Sequence, residues 1–308
     1  MQIQSLSIVV PSKGCINKCP FCVSRMLNNS SDYPNLMDIN HPEYDYNVRE
    51  YLKRLRFVAD NGCQTLMLTG TSEPQQNKQF LATFALLHQQ IGSPFTNIEM
   101  QTTGMGLDND RDYLRFLRNF VGVNTVALSV NAMNNYRNCE ILGHRPTTVP
   151  PSFGDPHCEA IPKLNLSRLC DLLKEYDFNI RCCFNLTSAF DKMEVEEIFN
   201  VAKNEYHANQ VTFRKLYSSS ADTEQGEWIK KNAVSQTTVH EIEAYLAESS
   251  VLGKTMYGAT CYDVNGMSVI YDTDCMGKNP ETDVKKYLIL RPNCKLYSQW
   301  DSKASLVF

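Results

Sequence analysis

The sequence predicts an α/β protein with a parallel sheet and a shorter β-rich segment near its C-terminal end. Three observations carry that expectation. Short β-branched runs alternate with longer helical patterns over the first two-thirds of the 308 residues. Six such strand-then-helix units stand in series, and serial units of this kind form parallel sheets with right-handed crossovers. From about Met256 the rhythm changes, and Asn265-Gly266 separates two short runs as a hairpin signal.

Leu6–Val10 reads as a buried strand. Tyr46–Asn61 reads as a helix with Leu52, Leu55 and Val58 on one face and Gly62 as its stop. Thr65–Thr69 is the second strand, followed by a helix near Lys78–Ile91; Asn97–Gln101 and Asp110–Phe120 repeat the unit. Thr125–Val130, Asn179–Leu186 and Gln210–Leu216 are the remaining strands, with helices near Leu166–Tyr176 and Val195–Glu205. Ala132–Pro162 breaks the series as a long loop with five prolines, carrying His144, Arg145, His157, Cys139 and Cys158. Loops of that length are more often functional than filler. In the tail, Thr260–Asp263 and Met267–Tyr271 form the hairpin, and Tyr287–Arg291 and Lys295–Trp300 read as further short strands. The periodicity fits a curled, incompletely closed barrel and a flat doubly wound sheet equally. In either, ligand sites lie at the carboxyl ends of the strands.

The composition narrows the function classes. A hydrophobic share of 43% and a charged share of 21% are those of an ordinary soluble chain with a sizeable core. A net charge of −4 argues against a broad duplex-binding surface and leaves room only for a local nucleic-acid groove. Met1–Val10 has no basic, apolar leader pattern, and no run reaches the roughly 20 apolar residues of a membrane span. Twelve cysteines in a chain of this size fit cytosolic thiols, some of them metal ligands, better than disulfides. A cytoplasmic location follows, and the sequons at Asn29, Asn165 and Asn185 are then chance matches.

Directly after the first strand stands Gly14-Cys15-Ile16-Asn17-Lys18-Cys19-Pro20-Phe21-Cys22, a Cys-x3-Cys-x2-Cys motif. Three thiolates on one short loop can reach three irons of a cubane cluster and leave the fourth without a protein ligand. Zinc normally takes four ligands in two pairs, and no Cys-x2-Cys partner exists elsewhere in the chain.

The motif, with an aromatic residue before its last cysteine, resembles that of the radical S-adenosylmethionine (radical SAM) superfamily. The resemblance implies a partial (β/α)6 barrel of parallel strands, residues 1–220, and a C-terminal extension, residues 221–308, over its open side. It also implies a [4Fe–4S] cluster on Cys15, Cys19 and Cys22. In that family S-adenosylmethionine chelates the open iron and is cleaved reductively to a 5′-deoxyadenosyl radical that abstracts hydrogen from substrate, and the resemblance implies the same here. An electron donor such as flavodoxin or ferredoxin is a further implied partner.

Strand ends extend the resemblance. Gly70-Thr71-Ser72-Glu73-Pro74 is similar to the family's Gly-Gly-Glu-Pro segment, with Gly70 allowing close approach of a ligand and Glu73 accepting from the methionine ammonium. Thr71-Ser72 departs from the usual second glycine. Thr102 and Thr103, then Ser129 and Asn131, offer groups for ribose or carboxylate at the next two strand ends. Phe21 joins them from the cysteine motif. Arg181 suits the methionine carboxylate, with a structural salt bridge as its other reading, and Asn185 follows on the same strand.

Substrate-side candidates are His144, Arg145, Arg214 and Cys275. The expected substrate is a small polar or nucleotide-like molecule, with a peptide or RNA as the alternative and a non-catalytic iron–sulfur or zinc protein behind both. Cys261, Cys275 and Cys294 in the tail lack the tight pair typical of an auxiliary cluster, though such a cluster stays open. Either Ala132–Pro162 or the tail, with Tyr271, Asp272, Asp274 and Arg291, is expected to close over the site.

Overall fold

The computed structural model describes residues 1–12, 14–28, 47–149, 159–217, 222–254, 259–272 and 283–308. In chain order, β1 (Gln2–Val9) is followed by α1 (Val23–Asn28) and α2 (Val48–Asp60). Then come β2 (Thr65–Thr69), α3 (Lys78–Gln90), β3 (Asn97–Thr102), α4 (Arg111–Phe116) and β4 (Thr125–Val130). Next are α5 (Asn135–Ile141), β5 (Thr147–Val149), β6 (Glu159–Ile161), α6 (Leu166–Glu175), β7 (Asn179–Asn185), α7 (Val195–Asn204) and β8 (Gln210–Arg214). The remainder holds α8 (Glu224–Asn232), α9 (Gln236–Ala247), β9 (Ser250–Lys254), β10 (Thr260–Val264), β11 (Met267–Asp272), β12 (Val284–Leu290) and β13 (Leu296–Tyr297).

All six expected strands are present and pair in parallel in the order β1-β2-β3-β4-β7-β8. Side chains alternate across the sheet, as a period of two requires. Phe184 and Phe213 turn to the helix side, where they meet Phe190 and Phe199. Cys183, Asn185, Thr212 and Arg214 therefore turn to the opposite side of the sheet. Short polar side chains start the helices by accepting otherwise unpaired N–H groups, Asn77 from Phe80 and Asn134 from Arg137.

The C-terminal segment extends the sheet of this core. It adds a parallel strand at each edge: β12 lies beside β1, and β11 beside β8. The sheet has eleven strands in the order β13-β12-β1-β2-β3-β4-β7-β8-β11-β10-β9, and its two outer edges are not bonded to each other. The predicted hairpin is present. Val264 pairs with Met267 across Asn265 (φ 54°) and Gly266 (φ 76°), both in the left-handed region that a two-residue turn of this twist demands.

Other expectations need correction. Ala132–Pro162 is not a loop throughout, because it contains α5 and the antiparallel pair β5–β6. Residues 150–158, with Cys158 and His157, lie outside the described residues, as do Asn29, Tyr46, Asp274 and Cys275. Tyr271 and Asp272 do not cluster with Arg291: they belong to opposite edges of the sheet. Arg291 is buried between the rings of Tyr297 and Trp300, and burial lowers its pKa to about 10. Cys261 and Cys294 are parted in the same way, and every cysteine among the described residues is a free thiol. No helix among the described residues is long and apolar enough to cross a membrane.

Candidate active site

The cysteine loop leaves the carboxyl end of β1 and is held from three sides. The Gln76 side chain clamps it by accepting from the Ile16 N–H (2.9 Å) and donating to the Gly14 carbonyl (3.2 Å). The Lys18 N–H donates to Leu142 O at the end of α5 (2.8 Å). The third hold is Asn17, only 2% exposed. Its Nδ2 donates to Glu73 Oε1 (2.8 Å) and Thr103 Oγ1 (3.0 Å), so its Oδ1 must be the acceptor that meets His144 Nε2 at 2.8 Å. His144 Nε2 therefore carries the proton. Burial, with Lys163 nearby, pulls the His144 pKa below its ordinary value and keeps the ring neutral at pH 7.

Cys15 is exposed, and Cys19 and Cys22 are half-buried. Burial pushes the Cys19 thiol well up, and the nearby Cys22 and Cys15 add to the shift; burial likewise raises Cys15. A metal held by these cysteines would supply the positive charge that reverses this preference and ionises the thiols. Among the described residues no three His, Cys, Asp or Glu side chains group tightly enough for a single metal ion.

Beside the loop lies a pocket whose near wall is Cys19, Phe21, Cys22 and Val23. Strand ends supply Thr103, Ser129, Asn131 and Asn185, and the far wall is Leu142 with Arg214–Tyr217. The Phe21 ring packs at 5.6 Å against Trp228 of α8, so a helix of the C-terminal segment backs the cysteine loop. Free thiols, an aromatic face and polar strand ends on one cavity fit an iron–sulfur cluster with a nucleoside-bearing ligand next to it. A second pocket, between α4 and α6, lies on the outer surface, where its Arg111 and Glu175 pair with each other.

The family model described as the Radical SAM superfamily matches residues 9–187, more than half of the chain. The chain belongs to the radical SAM superfamily. It is thus a radical SAM enzyme, and membership implies a [4Fe–4S] cluster, S-adenosylmethionine, a reductant and a substrate. No curated protein matches the sequence. Among solved structures, native anSMEcpe with bound AdoMet is 13% identical with a TM-score of 0.55, over 98% of this chain and 76% of that one. A form with bound AdoMet and Cp18Cys peptide is 19% identical with a TM-score of 0.44, over 69% and 50%. A radical SAM methyltransferase from Sphaerobacter thermophilus is 16% identical with a TM-score of 0.49, over 87% and 65%. The chain spans half to about three quarters of the length of these structures, and the likeness to the first is one of fold.

Of the residues singled out in the sequence of this radical SAM enzyme, Cys19, Cys22, Phe21, Thr103, Ser129, Asn131, Asn185 and Arg214 meet at one pocket, with Cys15 on the same loop. Others do not join them. Arg181 is ion-paired with the buried Glu99, and its Nε donates to Gln210 Oε1 (2.6 Å), so the structural salt bridge occupies it. At Gly70 a Cβ would stand 2.9 Å from Val10 O, so the β1–β2 backbone contact by itself requires the glycine. Thr102 turns away from the pocket and donates to Glu73 Oε2 (2.5 Å).

Glu73 is buried and already accepts from Asn17, Thr102, the Thr103 N–H and Gln75 Nε2, which uses a carboxylate's roughly four acceptor positions. It knots the cysteine loop to the end of β3 rather than standing open to a ligand ammonium. His144 reaches the site through Asn17, while Arg145 is exposed. Asn17, Gln76, Trp228 and Asn138 escaped the sequence reading. Only Asn17, inside the cysteine motif, carried a local signal.

Proposed function

We propose that Cys15, Cys19 and Cys22 hold the [4Fe–4S] cluster and that S-adenosylmethionine occupies the adjoining pocket. The observation that carries this reading is the single cavity lined at once by Cys19, Cys22, Phe21 and the polar ends of β3, β4, β7 and β8. When bound, the cluster and S-adenosylmethionine supply a 5′-deoxyadenosyl radical that takes a hydrogen atom from substrate and leaves as 5′-deoxyadenosine. The chain's own residues orient and shield. Phe21, braced by Trp228, presents an aromatic edge to the pocket and keeps water from the loop behind it. Thr103 and Ser129 offer hydroxyls to the ribose or the amino-acid end of the ligand. Arg214 and Lys215 give the far wall positive charge and favour a small polar substrate bearing a carboxylate or phosphate.

The core of residues 1–220 carries the chemistry in this reading, and residues 221–308 complete its walls. A flavodoxin or ferredoxin type of protein serves as reductant. Anaerobic reconstitution should give about four irons per chain, and dithionite with S-adenosylmethionine should release 5′-deoxyadenosine even without substrate. Replacing Cys15, Cys19 and Cys22 together by Ala should abolish both. A triple variant that keeps its full iron would sink the assignment.

A further inference from the structure

Three asparagines run in line from α5 to the pocket. Asn138 on α5 and Asn131 at the end of β4 are fully buried, while Asn185 ends β7 at the pocket wall. One backbone group sets the polarity of the line. The main-chain N–H of Asn131 lies 2.9 Å from the Asn138 side chain. A main-chain N–H can only donate, so the Asn138 atom facing it is Oδ1. The same Oδ1 is 3.2 Å from the Asn131 side-chain amide, which must then present Nδ2. Asn131 Oδ1 consequently faces Asn185 at 2.9 Å, and Asn185 must answer with its own Nδ2. Thr187 Oγ1 holds the Asn131 carbonyl at 2.7 Å and keeps this backbone in place.

What remains for the pocket is Asn185 Oδ1, an acceptor with no donor among the described residues. Which end of an amide is oxygen is ordinarily ambiguous; here it follows from one unambiguous donor. The far end shows the consequence, because Asn138 Nδ2 is buried without a partner among the described residues. Buried amide nitrogens are seldom left so. Reversing Asn138 would set its Nδ2 against two other donors, which is worse.

We propose that Asn138 is a positioning residue that makes the Asn185 end of the pocket an obligate acceptor. The site then selects a ligand group that donates a neutral hydrogen bond there, a hydroxyl or amino group of a nucleoside. This rests on the adenosyl pocket proposed above.

The test measures dissociation constants by calorimetry on cluster-loaded protein without reductant, so no turnover is involved. The probes are S-adenosylhomocysteine and its analogues lacking the 2′-hydroxyl, the 3′-hydroxyl or the adenine amino group. For the wild type, one analogue is expected to bind about tenfold more weakly than the parent, the loss of one hydrogen bond; which one identifies the donor that meets Asn185. In Asn138→Ala and in Asn185→Ala the parent weakens by a similar factor and the discrimination vanishes. The double variant is no weaker than either single one. Asn138→Asp keeps an oxygen facing Asn131 in either protonation state and restores both affinity and discrimination. Melting temperatures are recorded alongside. An Asn138→Ala protein that melts earlier yet discriminates like the wild type has lost only packing, and that result overturns the proposal. If Asn185→Ala keeps full discrimination, the proposal is likewise overturned while the pocket assignment survives. Failure of the wild type to bind any of the probes overturns the pocket assignment and this inference together.

Discussion

Asn17 shows how much of the site depends on one uncharged side chain. Its amide touches a carboxylate, a hydroxyl and an imidazole, and each of these loses a partner when it is removed. Asn17→Ala should lower stability by about 2 kcal/mol, the usual cost of leaving buried polar groups unsatisfied. Asn17→Asp should be worse than Ala, because it sets a second carboxylate against Glu73 in a buried position. Iron per chain after reconstitution, measured beside the melting temperature, is expected to fall in the order Asn, Ala, Asp. If Asp retains as much iron as Asn, the contact with Glu73 does not organise the loop. Glu73 was legible as a residue of interest from its segment, but its role was not. The four donors that fill it come from Asn17, Gln75, Thr102 and Thr103, and only Gln75 is near it in sequence.

At the scale of elements, α5 is the piece that the sequence hid. Asn134 is a sound helix-start residue, yet the prolines from Pro146 onward made the whole stretch read as loop. The end of α5 then docks on the cysteine loop. Gly143 has φ +83°, and a Cβ there would stand 2.7 Å from Lys18 Cβ. Gly143→Ala combines that collision with a left-handed backbone that costs a side-chain-bearing residue about 1–2 kcal/mol. The Lys18–Leu142 hydrogen bond lies one residue away, so the variant should both melt earlier and hold its cluster less firmly. Iron content and thermal unfolding check this, and a variant indistinguishable from the wild type would show that the corner does not support the loop. Helices α8 and α9 were missed for a related reason. Thr223 and Ser235 accept from Gly226 and Thr238 as good N-caps do, but the strand–helix rhythm that flagged the other helices had ended.

For the whole molecule, the face of the sheet that carries the pocket also holds a polar layer. Glu99 on β3 and Arg181 on β7 pair there across β4. Glu99 is 3% exposed, so removing its partner strands a buried carboxylate. Arg181→Leu should therefore cost about 3 kcal/mol of stability, read from denaturant unfolding. Affinity for S-adenosylhomocysteine in the folded fraction should be unchanged. A selective loss of that affinity with stability intact would return Arg181 to the role of a carboxylate ligand. The two edges of the sheet belong to the same scale. Leu288, Ile289 and Leu290 of β12 are fully buried beside β1, the strand that launches the cysteine loop.

The sequence by itself determined the six parallel units, the tail hairpin and the three-cysteine loop, because each is written in spacing that a few neighbouring residues express. Period two marks strands, period 3.6 marks helices, and Asn265-Gly266 meets the backbone demand of one turn. Only the tertiary structure decided which polar groups face one another. His144 meets Asn17 across 127 residues, and Ser5 bonds Lys286 across 281. No local pattern encodes such pairings, since burial and direction at a strand end depend on what the neighbouring strand brings to the same layer. For that reason the sequence placed three cysteines on one loop but could not say what Glu73 and Arg181 touch: closeness on a loop is defined by chain distance, and the surroundings of a buried charge by its partner.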